Sequence, residues 1–541
     1  MPLMRTSSSS FPATPDLTSE IPYVVRVEFA HLSRPPRSSL VSRPIACYKC
    51  NGFVTDIDQI LTDEKIGRYF ICQFCGTLNV VEGSPTVVDN DTDISMEVAP
   101  TDGVVAAETV MPSGKSFLAV IDVSGSMDGV NIAAVKRSIA TSIDSLAANA
   151  PTTLFGLIEF SSEVGFRNLD SGDFIALPPD TYASLEQIKS ATEDLLEQIR
   201  LVPVGEKASD IKRHIQSLQV GGSTALGPAL GMAYSLTRHR EIGRVVLLTD
   251  GLANNGIGSF EGFLVTPPKK YYHDLGKWFL ETGTVVDIVG IASHSGLELK
   301  TLGVLADLTG GTMYYVTPNE LDFSMSEIAG ERLLARNVEV RILTPPGVKI
   351  RDASGLSRLA VEELKASRTT RLAAVAERDE IHIELSPEST IEAQEIPIQI
   401  QVEYTDDEGA RHVRVMTKRF RVARTPEELL KTLDPEVGAT FVTQKAGEES
   451  FEGDVERGRL RISEFRASLK KQAAIAPSPV KARIEEVESV LAEEEAEMVR
   501  LQERAASEGM AEAAAQDMFS AAALQQKRRT SGEMFKKKKK R

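Results

Sequence analysis

This chain has few long apolar runs. None of its stretches approaches the ~20 uncharged apolar residues that a membrane-spanning helix needs. The opening stretch "MPLMRTSSSSFPATPDLTSE" lacks an apolar h-region, so no secretory signal is expected, and residues 1–20 read as a disordered tail. Aromatic residues are scarce at 6%, beside 42% apolar residues, a balance that suits a soluble globular protein. Cysteines number only four and fall in one window. That spacing argues against loop-closing disulfides and for a reducing, cytoplasmic setting. A phosphate loop is also missing. "SGKS" at 113–116 has Thr109 where such a loop needs glycine, and a strand follows where a helix should. Positive charge is outnumbered by negative except at one end. The net charge is −16, but residues 527–541 hold nine Lys/Arg and one acid, so the rest carries −24. An acidic body of this kind is a poor nucleic-acid binder.

A length of 541 residues exceeds what one hydrophobic core usually serves, so several domains are expected. The four cysteines form two CxxC pairs, Cys47/Cys50 and Cys72/Cys75, separated by 21 residues. Four thiolates so spaced can converge tetrahedrally on Zn2+, with Gly76 turning the backbone after the second pair. Two disulfides or a redox pair are the alternative. The set is closed by four sulfurs, which makes a structural role the default. The module is small, so the metal would supply its folding energy.

The central region alternates short, nearly continuous apolar runs with helical patterns. The runs are "SFLAVID" (116–122), "TTLFGLIEF" (152–160), "RVVLLTD" (244–250), "GTVVDIVGI" (283–291) and "GTMYYVT" (311–317). They predict parallel strands covered on both faces, in a doubly wound α/β domain. Ligands in such folds sit at the carboxyl ends of strands. Asp122 and Asp250 end two strands, and Thr224 lies on the Gly-rich "VGGSTALG" before a helix. With Ser124 and Ser126 they form a set of hard oxygen donors without His or Cys, suited to Mg2+ or Mn2+. A vacant coordination position would then attract an acidic residue of a protein partner. The competing reading is that the hydroxyls only cap helices. A phosphotransferase of the haloacid dehalogenase type would need a second acid two residues after Asp122, where Ser124 stands, so the chain reads as a non-enzyme.

"DVSGSM", "GGSTALG" and "LLTDG" resemble a von Willebrand factor type A (vWA) domain with a complete metal-ion-dependent adhesion site. Together with "PIACYKC", "RYFICQFCGTLN", "IRLVPVGE" and "LADLTGGTMY", they are similar to the Sec23/Sec24 family, the inner-coat subunits of COPII vesicles. The resemblance covers residues 21 to about 424. It implies a zinc ribbon, a vWA trunk and a β-sandwich, and coat subunits or a small GTPase as partners. It also implies a cytoplasmic site of action peripheral to endomembranes. That family generally has a degraded metal site in this domain, whereas all five ligand positions are kept here. Its members continue into a large helical domain and a gelsolin-like module, and one subunit supplies a GTPase-stimulating arginine from that last module. No such module is expected after residue 424 here, so GTPase activation is not carried over. Protist proteins that join this core to a permuted Ras-like GTPase are also known; no such module is visible here.

The expected fold class is thus multidomain α/β plus β. The expected division is 1–20 tail, 21–43 strands joining the sandwich, 44–80 four-cysteine zinc ribbon, 81–113 linker and sandwich strands, and 114–330 vWA trunk. Residues 331–424 follow as a β-sandwich, whose alternating strands predict a half-exposed antiparallel sheet with solvated histidines. Residues 425–478 read as a helical segment and 479–525 as one long charged helix. Ile484, Val487, Leu491, Met498, Leu501 and Ala505 recur there at 3–4 spacing, interrupted by Glu494. A coiled coil and a helix packed on its own chain both satisfy that pattern. The basic tail, 526–541, holds Lys527, Arg528, Arg529, Lys536, Lys537, Lys538, Lys539, Lys540 and Arg541. It is compatible with nuclear import, contact with anionic lipid, or folding back on the acidic body.

Overall fold

A computed structural model describes residues 3–18, 21–36, 38–40, 44–83, 86–88, 92–96, 116–261, 268–292, 296–507 and 511–536. The fold class is multidomain α/β plus β. The central sheet runs in the order Phe174–Leu177, Val164–Arg167, Leu154–Phe160, Ser116–Asp122, Arg244–Thr249, Val285–Ile291, Met313–Val316. Its five apolar-run strands are parallel. Ser116–Asp122 is buried on both faces, which explains the unbroken apolar run. Leu118 and Val120 enter one core, while Phe117, Ala119 and Ile121 enter the other. This strand lies between the second strand of the chain's central region and the much later Arg244–Thr249. The strand order therefore reverses at it, which opens a crevice at the carboxyl ends.

Two antiparallel layers form the sandwich. One contains Leu333–Leu343, Thr369–Ala376, Glu395–Thr405 and Arg411–Ala423; the other pairs Glu380–Pro387 with Val348–Ser354. Strands from near the amino terminus complete it. Tyr23–Glu28 pairs with Glu380–Pro387, and Thr92–Met96 pairs with Arg411–Ala423.

The tail expected over residues 1–20 is a correction. Met4–Thr6 and Ser10–Pro12 are strands, and Leu3, Met4 and Phe11 are fully buried in the sandwich core. The serine-rich composition suggests solvation, yet the serines bond inward. Ser7 N donates to Val24 O (2.8 Å) and accepts at its hydroxyl from Val24 N (2.9 Å). Solvated histidines in the sandwich are a second correction. His382 is fully buried with Nδ1 3.0 Å from Gln444 Oε1, and burial holds its pKa well below the usual value.

The long charged helix is two helices, Ser478–Ser507 and Glu512–Lys527. Ile484, Val487, Leu491 and Met498 pack against Val437, Ile462 and Phe465 of the same chain. Glu494 interrupts that stripe because it pairs with Arg529 at 2.6 Å. The first three basic residues of the expected tail are accordingly part of the fold. Lys527 Nζ meets Asp307 Oδ1 at 2.7 Å, and Arg528 donates to Asp307 O at 2.8 Å. The helix Ser531–Lys536 follows, and Lys537–Arg541 lie outside the described residues. Among the described residues no helix is long and apolar enough to cross a membrane.

The Lys527–Asp307 pair is buried on both sides. Removing one partner leaves an uncompensated charge, at about 3–5 kcal/mol. Lys527→Ala is therefore expected to lower the urea midpoint sharply, and Lys527→Ala with Asp307→Asn to recover much of the loss. Additive losses in that double variant would count against the pairing.

Candidate metal centres

Asp122 is the last residue of its strand and is fully buried. The chain then leaves the sheet through a short turn, Gly125–Met127, before the helix Val130–Asn149. Two neighbouring backbone contacts fix the turn to the Gly-rich loop. Gly125 N donates to Gly222 O (3.1 Å), and Gly221 N donates to Val123 O (2.8 Å). Gly222 adopts φ +86°, and a Cβ there would strike Ser162, so the loop's course at this point needs glycine.

The five oxygen-bearing residues come together. Ser124 N donates to Asp122 Oδ1 at 2.8 Å. Ser124 Oγ lies 3.1 Å from Ser126 Oγ, and Ser126 Oγ donates to Asp250 Oδ1 at 2.6 Å. Gly251 locates the remaining member. A Cβ there would lie 3.2 Å from Ser126 Oγ, 3.6 Å from Thr224 Oγ1 and 3.9 Å from Asp122 Oδ2. Oxygens from three separated segments thus face one small volume.

The helix-cap alternative fares poorly. Val130–Asn149 begins after Gly129 and Leu226–Thr237 after Ala225, each without a side-chain cap bond. Ser124 stands at the start of the short turn, again without one.

Sequence reasoning missed the residues that hold these ligands. Thr249 Oγ1 donates to Asp122 Oδ2 (2.6 Å), and Asn131 Nδ2 donates to Asp250 Oδ2 (2.6 Å). Asn254 Oδ1 accepts from Thr224 N at 2.7 Å. Thr249 comes beside Asp122 through the register of two parallel strands, in which Leu248 lies opposite Ile121, and that register is not written in the local sequence. Asn131 and Asn254 likewise carry no local signal.

Electrostatically the site is short of positive charge. Asp122 and Asp250 are both buried, and among the described residues neither pairs with Lys or Arg. Burial pushes the Asp122 carboxyl up to about 6, against hydrogen bonds from Ser124 and Thr249 that lower it; the nearby Asp250 charge raises it further. A small divalent cation fits this arrangement chemically. Octahedral Mg–O bonds of 2.0–2.1 Å put neighbouring ligands about 2.9 Å apart, between the 2.6 Å of Ser126–Asp250 and the 3.1 Å of Ser124–Ser126.

The second centre is the cysteine cluster. Cys47, Cys50, Cys72 and Cys75 lie with their sulfurs within 4.8 Å of one another, and none is disulfide-bonded. Cys47–Cys75 and Cys50–Cys72 are each 3.5 Å apart. A tetrahedron with Zn–S bonds of about 2.3 Å sets sulfurs about 3.8 Å apart, so the four can hold such an ion. Each pair sits on a backbone turn. Asn51 N donates to Cys47 O at 2.9 Å, and Gly76 N to Cys72 O at 2.8 Å with Gly76 at φ +72°. A three-stranded sheet, Leu61–Asp63, Gly67–Ile71 and Leu78–Val80, completes the module. It docks on the sandwich through Gln399, which accepts from Phe53 N (2.9 Å) and donates to Phe53 O (3.1 Å).

This order of modules has counterparts among known proteins. The Sec23/Sec24 trunk domain profile matches residues 112–328. Circularly permutated Ras protein 1 of Dictyostelium discoideum is 25% identical over 465 residues, covering 77% of this chain and 53% of that protein. Protein transport protein SEC24-2 of Candida glabrata is 22% identical over 489 residues, covering 80% of this chain and 51% of that protein. The crystal structure of the human COPII-coat protein Sec24c superposes with a TM-score of 0.68 at 16% identity. That superposition covers 98% of this chain and 75% of the other, and it shows a shared fold. The class defined by fold and sequence is a trunk-containing, multidomain α/β plus β protein. Residues 112–328 match the Sec23/Sec24 trunk domain and the chain as a whole is similar to these proteins; it spans about half the length of the curated relatives it matches.

Proposed function

We propose that this chain is a non-enzymatic scaffold of a COPII-like coat or adaptor in intracellular protein transport. In this reading it grips a protein partner through a divalent cation held by Asp122, Ser124, Ser126, Thr224 and Asp250. One observation carries the proposal: hydroxyl and carboxylate oxygens from three separated segments converge beside Gly251, at the carboxyl ends of adjacent parallel strands. Mg2+ or Mn2+ offsets two buried carboxylates, the hydroxyls add no further charge, and a partner Asp or Glu completes the coordination. The four cysteines hold Zn2+ in a structural role, and residues 114–330 act as the trunk. Likeness to transport proteins supports coat subunits or a small GTPase as partners, at the cytoplasmic face of endomembranes. Lys537–Arg541 add contact with anionic lipid in this reading.

Gly251→Ala provides a test in which every ligand is retained. The added methyl would stand 3.2–3.9 Å from three ligand oxygens, in the space an ion needs. Mn2+ affinity is expected to fall at least about tenfold, roughly 1.4 kcal/mol, with an unchanged unfolding midpoint in metal-free buffer. Undiminished Mn2+ binding would remove the cation from the proposal.

A coat or cargo-binding subunit that works through metal-independent surfaces is the alternative, and it requires partner capture to be indifferent to chelation. A phosphotransferase is the remote alternative, because Ser124 replaces the second acid. Turnover of p-nitrophenyl phosphate that is lost in Asp122→Asn would support it.

A further inference from the structure

Among the described residues, eleven large apolar side chains stand exposed, and seven of them belong to the cysteine-bearing module. They are not scattered. Strand register puts Leu61, Tyr69 and Val80 in one row and Ile71 with Leu78 in the next. Side chains alternate along a strand, so these five share one face of the small sheet. The other face is already used: Phe70 and Asn79 are buried, with Phe70 against the cysteines. An outer face of a sheet is normally polar, whereas Ile71 here is 57% exposed and Val80 59%.

One end of this face is acidic. Asp63 lies two residues beyond Leu61 and opposite Gly67, and Glu82 lies two residues beyond Val80. Both are exposed; Asp63 is on the side of the apolar rows, its Oδ1 also accepting from Lys65 N (2.8 Å) and Ile66 N (3.1 Å), and Glu82 continues the alternation past buried Val81. Arg68 is on the opposite side, bonded to Gly83 O.

We propose that this face docks a short segment of another protein that presents two or three apolar side chains with Lys or Arg at one end. Two features select that occupant. The carboxylates complement a basic flank. The area favours a short segment, since five side chains expose a few hundred Å2, against the roughly 800 Å2 per partner of a stable dimer. A second copy would also bring another net charge of −16.

The test is selection of a phage-displayed random peptide library on the full-length, zinc-supplemented chain. Counter-selection uses the triple variant Leu61→Ser, Ile71→Ser, Val80→Ser. These positions are exposed, so far-UV circular dichroism and the unfolding midpoint should match wild type. Enriched peptides are expected to combine apolar residues with a terminal Lys or Arg. Their synthetic versions should bind the triple variant at least about tenfold more weakly. Asp63→Asn with Glu82→Gln should weaken binding and flatten its salt dependence. The proposal is overturned if no peptide is enriched over the triple variant, or if the enriched peptides are acidic. It is also overturned if the wild type sediments as a dimer that the triple substitution dissolves. Binding to phosphatidylcholine vesicles that the triple variant loses would assign the face to lipid instead.

Discussion

Cys72→Ser is expected to yield protein without stoichiometric zinc and with residues 44–83 unfolded. The reason is the size of the module. Its buried apolar set is small, consisting of Val54, Phe70, Phe74, Val81 and the cysteines, with Leu343 of the sandwich. Zinc bound by four thiolates supplies about 10–16 kcal/mol of apparent binding energy, far more than such a core provides. Losing one ligand forfeits most of that. The damage should stay local at first, because the central sheet and its cores share no residue with the cysteine cluster. It should then reach an interior strand of the sandwich, where buried Gln399 loses both bonds to Phe53. Elemental analysis and hydrogen exchange read the two effects separately. Protected amides at Phe70 and Val81 after chelation would show that the module folds without metal.

Asp122→Ala is expected to abolish both divalent binding and partner capture while leaving the fold intact. Asp122 sits at the centre of the hydrogen-bond set, receiving Ser124 N and Thr249 Oγ1. Its carboxylate is buried without a cationic partner, and relief of that cost in metal-free protein offsets the loss of the two hydrogen bonds. The variant should therefore melt near wild type in metal-free buffer. Added Mg2+ should raise the midpoint of wild type by mass action and leave the variant unmoved. A variant that responds to Mg2+ like wild type would place the ion elsewhere.

The parts most legible in the sequence were those with a strict physical period. Ser116–Asp122 was readable because a strand buried on both faces must be apolar at every position. The sandwich strands were readable because one face alternates. The cysteine pairs and the five oxygen donors stood out by residue type and spacing, and the structure brings each set together. The amino-terminal strands were not legible. Three apolar residues, Leu3, Met4 and Phe11, anchor them inside a serine-rich run whose composition suggests solvent. Nor was the fate of Lys527–Arg529 fully legible. Their partners, Asp307 and Glu494, lie 220 and 35 residues away, and pairing at that range leaves no trace in local pattern. Glu494 is the instructive case. It looked like a break in an apolar stripe, and it is the buried end of an ion pair. Asn131, Thr249 and Asn254 were missed for a related reason. They position the ligands, and a hydrogen bond between distant segments has no sequence period.

The central claim is tested most directly by titrating Mn2+ into metal-free wild type and Asp122→Ala, with free Mn2+ read by electron paramagnetic resonance. The account predicts one saturable site in wild type that Mg2+ competes for and that is lost in the variant. Equal Mn2+ uptake by both proteins, or none by wild type at millimolar concentration, would contradict it.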